Sequence, residues 1–463
     1  MTTWNNALND RNPIYKLYDF KKSDSTKELL AVSNKQLLKE VSGNLTGTFG
    51  TLATNNVKFI TYKDRSINDV VLIADGGSLK TYNSGTMTVS SVTPHTPTTG
   101  ETTDPGLNDL ANLTNFRTFA LKKDRIFAAA HPTIKNRVHF SFFDPVLGYA
   151  VYDYFPAIYF FDVATEENDA IVELKVFRNQ LIIFCQNSVW TLKGDGANLT
   201  DYELIKLNVP KGCISRDSVQ EVGNNLFFLA DDHVYSLFAT DQEYISAQIM
   251  SDKVLPVLKS VGLSDKALAT SIFYDNKYYL SFPSGLTLVY DVTLESWTRY
   301  TGIQANSFII RDNLLYFSNN KGVIYRFNEN IFNDNGDPIP FEMKTKLIDF
   351  DYPVHMKKFR KSWIISKEWD NFVSTYDLDF IIDQFDINTN NDLTGNVGQG
   401  SSGIWDTSSW DKATWDTAET TQRELKISKK GKDIQFKITN DKVDEPLTIY
   451  GIVLEYQLKK PKR

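Results

Sequence analysis

Val176-Phe177-Arg178-Asn179-Gln180-Leu181-Ile182-Ile183-Phe184-Cys185, then Gln186-Asn187-Ser188, then Val189-Trp190-Thr191-Leu192, is the stretch on which the fold turns. Two apolar runs flank the polar pair Arg178-Asn179, and a third run follows a second short turn. β-Branched and aromatic side chains suit a pleated surface, and an Asn-containing polar pair suits a tight hairpin. Runs this short cannot bury a face alone, so the unit has to stack on others of its kind.

The pattern recurs on both sides. Downstream it returns at Val222–Leu237, Phe273–Asp291 and Phe308–Phe327. Upstream a looser copy runs from Phe119 to Ala130, and the segments beginning at Leu17 and Phe59 align at an offset of about 42 residues. Radial stacking buries both faces of such sheets and leaves only short edges. The reading is all-β: a β-propeller of six or seven blades over residues 1–330, with an irregular sandwich array as its rival. One short helix, broken by Pro256, is expected over 252–260.

Two stretches interrupt the repeat. Residues 86–116 are rich in Thr, Pro, Gly and Asn, a long loop of the functional or mobile kind. Residues 144–168 hold a dense aromatic cluster that includes Tyr152, Tyr154 and Phe155. These rings either fill the core between blades or form a subunit contact, where aromatics are enriched.

The character changes after residue 330. Strand-like runs at 341–350, 357–367, 374–384, 423–429, 433–440 and 446–458 alternate apolar and polar, as in Ile434-Gln435-Phe436-Lys437-Ile438. One buried and one solvated face imply an antiparallel β-sandwich over 331–463. A Gly-rich insertion, 385–422, carries Trp405-Asp406, Trp410-Asp411 and Trp415-Asp416. Trp405, Trp410 and Trp415 either anchor this loop on protein surface or stack on sugar rings with the Asp bonding hydroxyls.

Composition narrows the function. The 463 residues carry 50 basic and 57 acidic side chains, a net charge of -7, so the molecule as a whole is not a dedicated nucleic-acid binder. No run approaches the roughly 18 apolar residues of a membrane span, and no secretory leader is visible, so a soluble protein made in a cytoplasm is expected. The two cysteines, Cys185 and Cys213, are expected to be buried free thiols. No phosphate-binding loop, nucleophile elbow or zinc motif is present, and His131 with His139 is too small a set for zinc. The sequence therefore predicts no catalytic residue, cofactor or metal; a propeller glycosidase would need two placed carboxylates that nothing selects. Against the acidic background stands a basic strip, Lys357, Lys358, Arg360 and Lys361, together with the tail 459–463. On a strand Lys358 and Arg360 share a face, as a solvated surface, a subunit contact or a contact to DNA phosphates.

Three phrases resemble bacteriophage tail nozzle and hub proteins of the packaged-DNA-stabilisation and tail tubular type. They are Phe177–Trp190, Pro210–Leu229 and Lys344–Phe359, the last containing His355-Met356-Lys357-Lys358-Phe359. The resemblance implies a non-enzymatic structural protein of the virion tail, assembled in the host cytoplasm. It implies a ring of about six copies around a DNA channel. Its partners would be other copies, portal, adaptor or further tail proteins, and double-stranded DNA held without sequence specificity during retention and ejection. The loops 86–116 and 385–422 depart from that family. The alternative is a glycan-binding propeller, a receptor-binding tail protein or surface lectin.

Overall fold

The computed structural model describes residues 2–4, 12–47, 49–95, 115–123, 125–144, 147–163, 169–195, 199–239, 244–328, 330–367, 369–370, 372, 374–383, 393–397, 399–400 and 420–459. The chain forms two compact units, Thr3–Phe327, and Asn328–Arg463 together with Met1–Thr2.

The larger unit begins from its hairpins. Phe177 and Gln180 pair across a two-residue turn in which Arg178 and Asn179 both have positive φ (46° and 62°). Asp275-Asn276 and Asp312-Asn313 repeat this turn, and Asn34-Lys35 makes it one strand later in its sheet. Left-handed turns of this type match the twist of the flanking strands, and Asn and Asp tolerate the conformation.

Among the described residues this unit holds seven four-stranded antiparallel sheets. In order their innermost strands are Ile14–Lys21 (sheet I), Lys58–Lys63 (II), Thr118–Lys122 (III), Ile171–Phe177 (IV), Gln220–Val222 (V), Thr270–Tyr274 (VI) and Ser307–Arg311 (VII). The strand Thr2–Trp4 completes sheet VII. A sequence reading finds three strands per unit because the outer ones carry little apolar signal. Ser296–Thr301 and Thr88–Ser91 are mostly exposed.

Each sheet packs its faces on the next. Phe20, Leu30 and Val71 join I to II; Tyr62, Phe119 and Phe155 join II to III; Phe127, Phe140 and Leu181 join III to IV. Phe184 and Phe228 join IV to V, Phe227 and Tyr278 join V to VI, and Tyr279 meets Phe308 between VI and VII. The array then closes on itself, because Leu17 and Leu29 of sheet I share a core with Ile309 and Tyr316 of sheet VII.

Cys185 lies in the III–IV core and Cys213 in the IV–V core, so the two buried thiols form no disulfide, although the Cys213 amide donates to the Cys185 carbonyl at 2.8 Å. Pro256 does not break its helix. It sits in the first turn of Leu255–Lys259, where a missing N–H costs nothing, and a second short helix, Leu263–Ala267, follows. No helix among the described residues is long and apolar enough to cross a membrane.

The smaller unit has two antiparallel sheets. Sheet A has the order Phe341–Lys344, Ile434–Asn440, Ser374–Ile382, Leu393–Val397, and sheet B the order Thr420–Gly431, Lys357–Lys367, Ile449–Leu458. Their facing side chains form one core, with Phe359, Ile364 and Leu425 from B against Leu378, Phe380 and Phe436 from A. A short parallel pair, Trp369–Asp370 with Gln399–Gly400, lies beside them in sequence.

Candidate functional site

The aromatic cluster resolves into core. Phe155 is fully buried between sheets II and III, and Tyr154 is buried against Phe142 with ring centroids 5.2 Å apart. Neither ring is available to a partner, so the subunit-contact reading fails for Tyr154 and Phe155. Tyr152 is half-buried on the same core, and burial, with Asp64 adding to it, pushes its phenol up to about 12. The segment is pinned by polar bonds. The Arg65 guanidinium grips Asp153 with two bonds of 2.7 and 3.0 Å, and the Tyr149 hydroxyl donates to the Asp64 carbonyl at 2.7 Å. Trp405, Trp410 and Trp415, with most of 385–422 and residues 96–114 of the earlier loop, lie outside the described residues.

The basic strip lies on sheet B. Along Lys357–Lys367 the buried positions are 357, 359, 362, 364 and 366. Between Phe359 and Lys361 the register shifts against both neighbouring strands. This bulge sets Arg360 and Lys361 side by side on the outer face, beside Lys358. Lys357 departs from the expected strip. It is buried, and its ammonium donates to the carbonyls of Tyr352 (2.7 Å), His355 (3.3 Å) and Lys432 (2.6 Å). Burial pushes its pKa below the usual lysine range.

The neighbouring strand adds two lysines to this face. Lys430 stands directly opposite Lys358, and Lys426 directly opposite Lys361. On the other side Gln457 faces Lys358 and Glu455 faces Lys361. Two acids temper five bases: Lys361 pairs with Glu424 at 2.7 Å, and Arg360 reaches Glu455 at 3.5 Å and Gln457 at 3.0 Å. Lys358, Lys426 and Lys430 have no ion-pair partner among the described residues. Trp363 occupies the next row of this face, between Glu424 and Val453. Like charges set directly opposite destabilise a sheet, so the two Lys–Lys pairs carry a cost in the free protein.

Side chains cross the centre of the ring of sheets. Lys16 at the start of sheet I bonds Asp217, just before sheet V, at 2.7 Å. Arg216 donates to the Arg117 carbonyl (3.0 Å), the Asn56 side chain (2.5 Å) and the Val57 carbonyl (3.2 Å), which precede sheets III and II. Lys58 of sheet II bonds Glu173 of sheet IV at 2.8 Å. Sheets I and V, or II and V, are not neighbours in the ring, so these contacts cross its centre. Burial would raise the Asp217 carboxyl, but Arg216, Lys16 and Lys58 overcome it and hold the group far below the usual range.

A cleft of about 420 Å³ opens beside the short helices, lined by Gly262, Asp265, Ser284, Gly285, Thr301 and Gln304 among others. Its lining has one carboxylate and no aromatic ring, which offers neither an acid–base pair nor a sugar platform. His131 and His139 do not form a ligand pair. The His131 ring accepts the amides of Thr133 and Ile134, while His139 is buried among Phe116 and Phe160.

No family model matches the chain. No curated protein matches it either. Among solved structures it is similar to the computationally designed Ika8 protein, with a TM-score of 0.41 and 12% identity over 70% of this chain and 99% of that one. It is similar to the extracellular domain of a hybrid two-component system from B. thetaiotaomicron, with a TM-score of 0.47 and 11% identity over 78% of this chain and 43% of that one. It is also similar to virginiamycin B lyase from Staphylococcus aureus, with a TM-score of 0.45 and 9% identity over 69% of this chain and 96% of that one. These likenesses concern the course of the chain and carry no argument about activity.

Proposed function

We propose that this chain is a non-enzymatic structural subunit of a phage tail nozzle or hub. Its seven sheets are the blades of a propeller, and sheets A and B are the layers of a C-terminal sandwich. Copies form a ring of about six around the path of duplex DNA, in contact with portal, adaptor or other tail proteins of the virion.

The observation that carries this reading is the pair of lysine rows on sheet B, Lys430–Lys358 and Lys426–Lys361. The centre of each molecule is crossed by side chains, so a duplex has to run past the molecule and not through it. A surface along such a path needs contacts that attract phosphate without reading bases. Strand geometry places the two lysine rows about 10 Å apart along the strands and the partners within a row about 5 Å apart. Interleaved Glu424 and Glu455 keep the attraction weak enough for DNA to slide.

The test has two parts. Electron microscopy of purified virions should place the subunit around the DNA path; particles that lack the polypeptide overturn the reading. Purified protein should bind duplex DNA weakly and without sequence preference. The salt dependence should lose about one charge equivalent for each of Lys358, Lys426 and Lys430 changed to Gln. Unchanged DNA affinity in the triple variant removes sheet B from the mechanism. Saturable binding on a glycan array, lost on changing Trp405, Trp410 and Trp415 to Ala, would instead favour a glycan-binding propeller.

A further inference from the structure

The network at the ring centre is incomplete. Glu173 uses one oxygen, Oε1, for Lys58 at 2.8 Å and for the Thr118 hydroxyl at 2.9 Å. Its other oxygen, Oε2, is buried without a hydrogen-bond partner, and so is the Nε of Arg216. Two residues along the innermost strand of sheet IV, Lys175 makes no hydrogen bond or ion pair among the described residues. Arg216 and Glu173 meet on the same two strand entries: Arg216 donates to the carbonyls of Arg117 and Val57, and Glu173 accepts from the next residues, Thr118 and Lys58.

The charges do not balance. Lys16, Lys58, Lys175 and Arg216 face Asp217 and Glu173, with Glu221 as a third, exposed carboxylate acting on Lys175. A surplus cation in protein surroundings is costly unless it finds a counter-charge. Burial accordingly pushes Lys175 below the usual lysine range, and Lys58 pushes the same way. The centre is open to solvent-sized species. Lys16, Lys58 and Asp217 lie deep in the ring, yet keep 17%, 26% and 24% of their side-chain surface accessible.

We propose that the ring centre binds a small protonated oxyanion of the phosphate type, seated against Glu173 between Lys175 and Arg216. The chemistry selects the class. The ligand accepts hydrogen bonds from the Lys175 ammonium and the Arg216 Nε–H, and it donates one to Glu173 Oε2. A halide supplies no donor. Water satisfies the lone acceptor and donor but leaves the Lys175 charge unanswered. The dihydrogen phosphate monoanion meets all three demands: its oxygens accept, its P–OH donates, and its single charge answers the surplus. The site is made wholly by the larger unit and does not depend on the tail assignment.

The probe is inorganic phosphate on the full chain, with sodium chloride at matched ionic strength as reference. Phosphate should raise the unfolding midpoint beyond chloride, in a saturable way, as any ligand of the folded state does. Lys175→Met should weaken phosphate binding at least tenfold, and Glu173→Gln should weaken it less. Broadening of the 31P phosphate resonance by the unaltered chain gives a second readout that needs no variant. Equal midpoints in phosphate and chloride with an unbroadened resonance overturn the proposal, as does a Lys175→Met protein that keeps the phosphate response.

Discussion

His139 and Gly212 show how single residues are fixed by their surroundings. His139 is 3% exposed, and neither ring nitrogen has a hydrogen-bond partner. Burial, followed by the nearby charges of Arg137 and His131, lowers its pKa to about 4, with Asp162 opposing. The unfolded chain therefore binds a proton that the folded one refuses between about 6.5 and 4. Stability from this residue is complete above about pH 6.5 and falls away as pH drops towards 4, by up to about 3 kcal/mol. His139→Leu should flatten urea-unfolding free energies across that window, and an unchanged slope would refute the assignment. Gly212 is needed for another reason. A Cβ there would strike the Cys185 carbonyl and the backbone of Gln186 and Asn187, which cannot move aside. Gly212→Ala should cost about 3 kcal/mol in the same assay, the range of an overpacked interior. The apolar hairpin it packs against, Gln180–Cys185 with Val189–Lys193, is written in the sequence. The close approach is not, because it depends on which turn of another strand passes by.

At the scale of strands, sequence pattern serves where one face is buried and fails where both are wet. The alternation of 434–438 locates a strand of sheet A because every second side chain enters the core. The outer strands of sheets II and VI carry no such rhythm. The strip at 357–361 is half legible. Lys358 and Arg360 do share a face, but Lys357 points inward to three carbonyls, and a bulge adds Lys361 to the outer side. The facing lysines, 426 and 430, were invisible because register across strands distant in sequence is a tertiary fact. That register makes a prediction of opposite signs. Lys430→Glu replaces a repulsive cross-strand pair with an attractive one, so sheet B should gain about 0.5 kcal/mol at low salt and little at high salt. Duplex binding by the same variant should weaken. A variant that loses both stability and binding would mean that the pair is not repulsive in the free protein.

The whole ring depends on contacts that a repeat cannot announce. Each sheet packs on its neighbours through apolar faces, and the closure of I on VII follows from the same pattern. The bond from Lys16 to Asp217 is different, because it ties sheet I to the entry of sheet V across the centre. Asp217 also holds Arg216, at 3.2 Å. Removing its charge leaves two cations facing each other with little solvent between them. Asp217→Asn should therefore cost about 3 kcal/mol, the scale for breaking a largely enclosed pair. The double variant Lys16→Met with Asp217→Asn should recover part of that loss, which a double-mutant cycle measures directly. The pH dependence follows from the depressed carboxyl. Its contribution is complete above the ordinary aspartate value of about 3.9 and disappears as pH falls below it, a step lower than the one set by His139. Because the tie spans non-neighbouring sheets, its loss should reach both ends at once. Hydrogen exchange in Asp217→Asn should accelerate together in Ile14–Lys21 and in Asn225–Leu229. Acceleration confined to one of them would show that the sheets open independently and that the central ion pairs do not act as a common tie.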